Sequence, residues 1–307
     1  MSQSILRSHG SVDSFDAVVA ATRARLQQAG DQPDATVAEQ LALLDGMTQF
    51  GLGRYALQHK GVNGYWTDYF ASYGWKERPF PHPAQMPLSE LESFCLTKAP
   101  IILASRERFH HFRRLNQEYV KEGATLATIP SGIMGELLYL DYTGITSLSL
   151  VAIDYDQDSL RLAEELATQR HLQNFLTTAQ QDAWALPYRD HFDLISSSGL
   201  NIYEPDEAKT IALYQQFYQA LKPGGALHIS FLTPPPFLTD QCEWQMAAIN
   251  QNDLRKQKLI FSDIVQANFR AFCSSERMRE ILTEVGFHTI TFYYDTAHIF
   301  PIAKAVK

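Results

Sequence analysis

The stretch TLATIPSGIMGELLYLDYTGITSLSLVAIDY, Thr125 to Tyr155, decides the fold. An apolar run leads into a small-residue turn, an amphipathic segment and a second apolar run ending in Asp154. Strand, glycine-containing turn, helix and strand with a terminal carboxylate make a nucleotide-type site. The turn lets a ligand approach the backbone, and the carboxylate, roughly twenty residues on, accepts hydrogen bonds from two ribose hydroxyls.

Downstream the same texture repeats. Strands are predicted at Leu126–Ile129, Leu148–Ile153, Phe175–Thr178, Phe192–Ser196 and Ala226–Leu232. Helices are predicted between them at Met134–Tyr142, Asp158–Thr168 and Ala208–Leu221, the last stopped by Gly224-Gly225. Strands alternating with helices of this length argue for a parallel sheet covered on both faces. After a further helix around Met278–Val285, the runs Thr289–Tyr294 and Phe300–Ala305 are separated by five residues. So short a link cannot hold a crossover helix, so the last strand must pair antiparallel.

Upstream, residues 1–124 show helical spacing and no strand alternation. Helices are expected from Phe15 to Leu26, from Thr36 to Gln58 with a bend at Gly51 and Gly53, from about Ser89, and from Pro100 to Lys121. The aromatic segment Gly61–Trp75 and the turn-rich PFPHPAQMP lie among them. The expected organisation is a helical cap over 1–124 and a ligand-binding domain over 125–307. A loop-rich insert at 234–273 is expected to serve as a lid, because it leaves the carboxyl end of the fifth strand.

Composition bounds the function. Net charge is −8, from 26 Lys+Arg against 34 Asp+Glu, with no basic stripe, so nucleic acid is disfavoured as a partner. The three cysteines, Cys95, Cys242 and Cys273, are far apart and suggest no disulfide framework. The histidines do not fall in metal-ligand spacing, so no metal is expected. The first residues lack the apolar core of a secretory signal and no stretch is long enough to span a membrane, so the expected location is cytoplasmic.

The order of elements resembles the class I S-adenosylmethionine-dependent methyltransferases, whose seven-stranded Rossmann-like sheet ends in an antiparallel hairpin. The resemblance covers 125–307. It is carried by VAIDYDQDSLRLAEELA (Val151–Ala167), FDLISSSGLNIYEPD (Phe192–Asp206) and ALKPGGALHISF (Ala220–Phe231). It implies S-adenosylmethionine as cofactor and a small or medium-sized molecule as methyl acceptor. It also implies that Asp154 and Tyr155 meet the ribose and its surroundings, and that Asp182 and Ala183 meet the adenine. Ser131, Gly132 and Ile133 would form the opening turn, and Ser198, Gly199 and Leu200 the floor beneath the methionine portion. Asp156 and Asp158 are expected at a helix N-terminus.

The opening turn departs from the family pattern. The family places an acid before GxGxG, whereas this chain reads Ala127-Thr128-Ile129-Pro130-Ser131-Gly132-Ile133-Met134-Gly135. Either another residue takes the acid's role, for which the helical extension is a candidate source, or cofactor binding is weak. Methyl transfer from a sulfonium needs in-line positioning more than a fixed catalytic group. Candidates for touching or deprotonating the acceptor are Tyr203, His298 and Tyr65 with its neighbour Trp66; each is equally explained as a packing residue. Arg106, Glu107 and Arg108 read most simply as a solvated charged face, although an arginine there could meet the cofactor carboxylate. Two rival readings remain: a non-catalytic methyltransferase-like binding protein, and an NAD(P)-dependent oxidoreductase. The latter requires a GxGxxG turn that the chain lacks.

Overall fold

Strand alternation places every second side chain on one face, so the burial of each strand fixes the layers. The computed structural model describes residues 14–75 and 87–307. They divide into two compact units: 14–73, 87–103 and 246–269 in one, and 74–75, 104–245 and 270–307 in the other. The PFPHPAQMP loop lies almost wholly outside the described residues.

The first unit is helical. It contains α1 (Phe15–Ala29), α2 (Val37–Met47), α3 (Gly51–His59), α4 (Gly64–Ala71) and α5 (Glu90–Thr97). The expected single helix over Thr36–Gln58 is two, parted at Thr48–Phe50 ahead of the glycines. A Cβ on Gly53 would sit 2.2 Å from the Met47 carbonyl oxygen, so the glycine serves close packing of the two helices. Thr36 and Glu39 close a capping box at the start of α2. Buried Tyr69 donates to Glu92 at 2.6 Å, tying α4 to α5.

Part of the insert joins this unit. The loop-rich stretch 234–273 holds a helical segment over 251–264 that its sequence did not announce: α10 (Gln251–Gln257) runs on into a wider turn to Ile264. Asn250 caps it, and Leu259, Ile260 and Ile264 bury themselves. Arg25 of α1 donates to the carbonyls of Asp263 and Ile264 at 2.8 Å each. The triple proline Pro234–Pro236 signals loop, whereas the Asn250 cap lies eleven residues beyond Thr239 in polar surroundings.

The second unit is a seven-stranded sheet: β1 (Thr125–Thr128), β2 (Ser149–Asp154), β3 (Leu176–Gln180), β4 (Phe192–Ser197), β5 (Leu221–Ser230), β6 (His288–Tyr293) and β7 (Ile302–Val306). Their order is β3-β2-β1-β4-β5-β7-β6. The first five run parallel, and β7 pairs antiparallel with both β5 and β6. The fold is thus α/β Rossmann-like, with an antiparallel final pair joined by the short link 294–301, which, like the five-residue link expected from the sequence, holds no crossover helix. One face packs Ala127, Ile129, Ile195, Leu227 and Ile229 against α9 (Glu207–Ala220) and α11 (Ser275–Val285). On the other face Phe112 and Leu115 of α6 (Pro100–Gln117) meet Ile302.

Two local differences have clear causes. The predicted helix over Met134–Tyr142 shortens to the single turn α7 (Gly135–Leu138). Side chains from elsewhere take the carbonyls near its end: Arg170 binds those of Leu138 and Leu140, Arg113 that of Tyr139, and Gln117 that of Asp141. The helix before β5 stops at Ala220 rather than at the glycines. Lys222 precedes Pro223 and disfavours helix, and the chain bulges before rejoining β4 at Ala226. A Cβ on Gly225 would lie 2.9 Å from the carbonyls of both Lys222 and Phe192, which fixes glycine in that bulge.

Candidate active site

The carboxyl ends of β1, β2 and β4 carry the predicted residues. After β1 the chain passes through a cis Ile129-Pro130 bond into Ser131 and Gly132. Ser131 is buried, and its N–H donates to the Ile153 carbonyl at 2.8 Å. Gly132 adopts φ 48°, and its N–H donates to Asp154 Oδ2 at 2.8 Å. Asp154 Oδ1 accepts from the Asp156 N–H at 3.0 Å. One half-buried carboxylate therefore joins the β1 turn to the end of β2. Burial is the main cause that pushes its pKa up to about 6, against the backbone donors of Asp156, Gly132 and Tyr155 that favour the charged form. Asp156 caps α8 (Gln157–Gln169), its side chain accepting from the Asp158 N–H, as expected for a helix start.

Tyr155, next to this carboxylate, is 48% exposed, one of few large apolar side chains so placed among the described residues. Asp182 is exposed, and its Oδ1 accepts from the Trp184 N–H at 2.9 Å. Ala183 and Ile133 are buried, so Ile133 offers a ligand its backbone rather than its side chain. After β4, Gly199 takes φ 83° and Leu200 packs on the core.

The candidates for acceptor chemistry separate. Tyr203 lies on a short 3-10 turn (Asn201–Tyr203), and burial pushes its phenol up to about 12. That makes it a poor base at neutral pH and a competent hydrogen-bond donor. His298 lies in the link between β6 and β7, stacked on Tyr294 at 4.4 Å. That link meets the carboxyl end of β5, where Thr233 N–H donates to the Ile299 carbonyl. Tyr65 belongs to the helical unit, edge-on to Trp66 at 5.0 Å.

The sheet face toward α6 is unexpectedly polar. Asn116 of α6 donates to Ser196 Oγ at 3.1 Å, and Ser196 Oγ donates to Glu136 Oε2 at 2.7 Å. His228 Nδ1 lies 2.7 Å from Asn116 Oδ1. Arg108 lies on the same helix, 6% exposed, which corrects its reading as part of a solvated face. Helical spacing alone could not tell its inward direction from that of Arg106. Thr128 Oγ1, in register with Ser196, is buried without a hydrogen-bond partner among the described residues.

Burial holds His228 down to about 3, below its ordinary value near 6.5. The unfolded chain therefore binds a proton over that window and the folded one does not. Stability is full above pH ~6.5 and falls as pH drops toward ~3, by up to about 1.4 kcal/mol per pH unit. Urea titrations at pH 4.5 and 7 on wild type and His228→Asn should show this slope shrinking by one proton; equal slopes would contradict it.

A sequence pattern described as a methyltransferase domain matches residues 132–225. That segment holds the Gly132 turn, the Asp154 carboxylate and the parallel strands up to β5, within a sheet closed by an antiparallel pair. Residues 132–225 are a methyltransferase domain. A solved structure from Bordetella parapertussis, described as a possible exported protein, is 40% identical over 95% of each chain, with a TM-score of 0.88. A candidate O-methyltransferase from Nostoc punctiforme is 13% identical over 67% of this chain and 57% of its own, with a TM-score of 0.49. An S-adenosylmethionine-dependent O-methyltransferase from Thermotoga maritima is 16% identical over 66% of this chain and 64% of its own, with a TM-score of 0.42. Comparison with curated proteins finds no match.

The Bordetella relative corrects the cytoplasmic expectation, because a chain so similar is described as a possible exported protein. The expectation rested on composition near the first residue, whereas targeting signals are addresses read by receptors and leave no mark on a fold. Among the described residues no helix is long and apolar enough to cross a membrane. Nor do any three His, Cys, Asp or Glu side chains among them gather as metal ligands would.

The residues present fit S-adenosylmethionine, the cofactor that the resemblance in sequence implies. Beside its backbone bonds from Gly132, Asp156 and Tyr155, the Asp154 carboxylate, with about four lone-pair sites, keeps capacity for a hydroxyl donor. Tyr155 offers an exposed ring beside it. The buried hydroxyls of Thr128 and Ser197, at the ends of β1 and β4, lack hydrogen-bond partners among the described residues.

Proposed function

We propose that this protein transfers a methyl group from S-adenosylmethionine to a small or medium-sized molecule. The observation that carries the reading is the Asp154 carboxylate, held by Gly132 and Asp156 with the exposed Tyr155 ring beside it. Asp154 would accept from the ribose hydroxyls, and Tyr155 would lie against the adenine. The second oxygen of Asp182 would take the adenine amine, with Ala183 walling the ring. The backbone of Ser131, Gly132 and Ile133 would line the turn, and Ser198, Gly199 and Leu200 would lie under the methionine portion.

When bound, the cofactor supplies a methyl group already activated on a sulfonium. The residues then have to hold the acceptor in line and exclude water. With its phenol raised to about 12, Tyr203 suits donating a hydrogen bond to the acceptor better than removing its proton. The lack of GxGxxG and the antiparallel β7 weigh against the oxidoreductase reading.

Calorimetry with S-adenosylhomocysteine on the full chain tests the cofactor site; folded protein that ignores millimolar ligand would end the proposal. Methyl-labelled cofactor incubated with fractionated metabolites tests turnover. Binding without label transfer into any fraction would support the non-catalytic reading instead.

A further inference from the structure

We propose that Glu136 and Arg108 together receive the amino-acid end of S-adenosylmethionine, Glu136 taking the ammonium and Arg108 the carboxylate. The acid absent from the end of β1 would then be supplied one turn later, from α7. The inference rests on the cofactor reading above.

Both side chains are charged, buried and incompletely matched. Glu136 is 9% exposed and accepts from Ser196 Oγ at 2.7 Å, with the Ser198 hydroxyl as a further donor. These donors are neutral, and burial raises the carboxyl above its ordinary pKa, with Arg108 the opposite charge that counters it. Arg108 Nε has no hydrogen-bond partner among the described residues, and Nη1 makes a long 3.5 Å contact with Ser230 Oγ. Its guanidinium stacks over Phe300 at 4.5 Å, which fixes the plane without using the donors.

A purely structural buried pair needs close mutual geometry and satisfied donors to offset desolvation. This one leaves a guanidinium nitrogen unused and its carboxylate served by hydroxyls. A ligand carrying one ammonium and one carboxylate would complete both.

The position agrees. Asp154 ends β2 and Ser196 lies in β4, with β1 between them. Two strand spacings, about 10 Å, separate the two polar centres along the carboxyl edge. That suits a ligand with a ribose diol at one end and a zwitterion at the other. A Cβ on Gly199 would lie 3.8 Å from Arg108 Nη1, so the loop after β4, expected beneath the methionine portion, passes close to the guanidinium. The buried Thr128 hydroxyl, in register with Ser196, marks where the family's acid is missing.

Three ligands separate the roles by calorimetry on the full chain. S-adenosylhomocysteine carries both charges, its decarboxylated analogue carries only the ammonium, and methylthioadenosine carries neither. Wild type should bind S-adenosylhomocysteine about a hundredfold tighter than methylthioadenosine, as expected for charge-assisted bonds. Glu136→Gln, which keeps the acceptor for Ser196, should lose about tenfold or more on both amine ligands and nothing on methylthioadenosine. Arg108→Gln should lose on S-adenosylhomocysteine alone.

Equal losses on all three ligands, or no loss on any, would overturn the proposal. If wild type binds methylthioadenosine as tightly as S-adenosylhomocysteine, the proposal fails while the cofactor site stands. If wild type binds none of them, the cofactor reading itself fails. Circular dichroism melts check folding; should Arg108→Gln not fold, the Glu136→Gln pattern alone decides, because its isosteric side chain preserves packing.

Discussion

Replacing Asp154 with alanine is expected to weaken S-adenosylhomocysteine binding about a hundredfold, or about 2.7 kcal/mol. The carboxylate would lose two contacts to ribose hydroxyls, each worth about 1.5–3 kcal/mol when charge-assisted. It would also release the Gly132 N–H, which it holds at 2.8 Å, and with it the turn. The pH dependence gives a second readout. In the free protein burial raises Asp154 to about 6. Two hydroxyl donors would favour the charged form and lower that value. Binding near pH 6 should therefore release a fraction of a proton, and affinity should fall as pH drops below about 6. Calorimetry in buffers of different ionisation enthalpy measures the release. The Asp154→Ala protein should show neither the release nor the pH slope, and an affinity unchanged from wild type would remove this residue from the site.

The second large effect is structural and lies in the link that sets the end of the sheet. Asp295 is 1% exposed, and its carboxylate accepts from the N–H groups of Ala297, Ile299 and Phe300 at 3.1, 3.1 and 2.7 Å. It organises the turn from β6 into β7. Asp295→Ala leaves three donors without this partner, two of them buried, at a cost of about 4 kcal/mol. Amide exchange at Ile299 and Phe300 should accelerate about a thousandfold. Asp295→Asn should recover part of this, because its oxygen still accepts while its amide faces a donor. Exchange within a few-fold of wild type would show that the link is held by β7 pairing alone.

These two acids illustrate how much was legible in the chain. Asp154 could be singled out because a terminal carboxylate after an apolar run is a local pattern. Asp295 carries no such signal: its three partners are two to five residues away, but only the turn brings their N–H groups to one point. Glu136 and Arg108 were hidden for a different reason. A charged residue on a helix of mixed polarity reads as exposed until the sheet that covers it is in place.

The sequence by itself determined the alternation of strands and helices, the antiparallel final strand, and the turn ending near Gly132 with its acid at Asp154. These are set by side-chain periodicity and link length, which act within some thirty residues of chain. Tertiary structure decided the remainder: that Asp154 spends bonds on the backbone, that α7 is a single turn because Arg113, Gln117 and Arg170 claim nearby carbonyls, and that 246–269 pack with the N-terminal helices. It also decided that a lone glutamate and a lone arginine, 28 positions apart, share one buried polar face. Such pairings depend on which strands neighbour one another, and in a sheet ordered β3-β2-β1-β4-β5-β7-β6 neighbours are seldom consecutive.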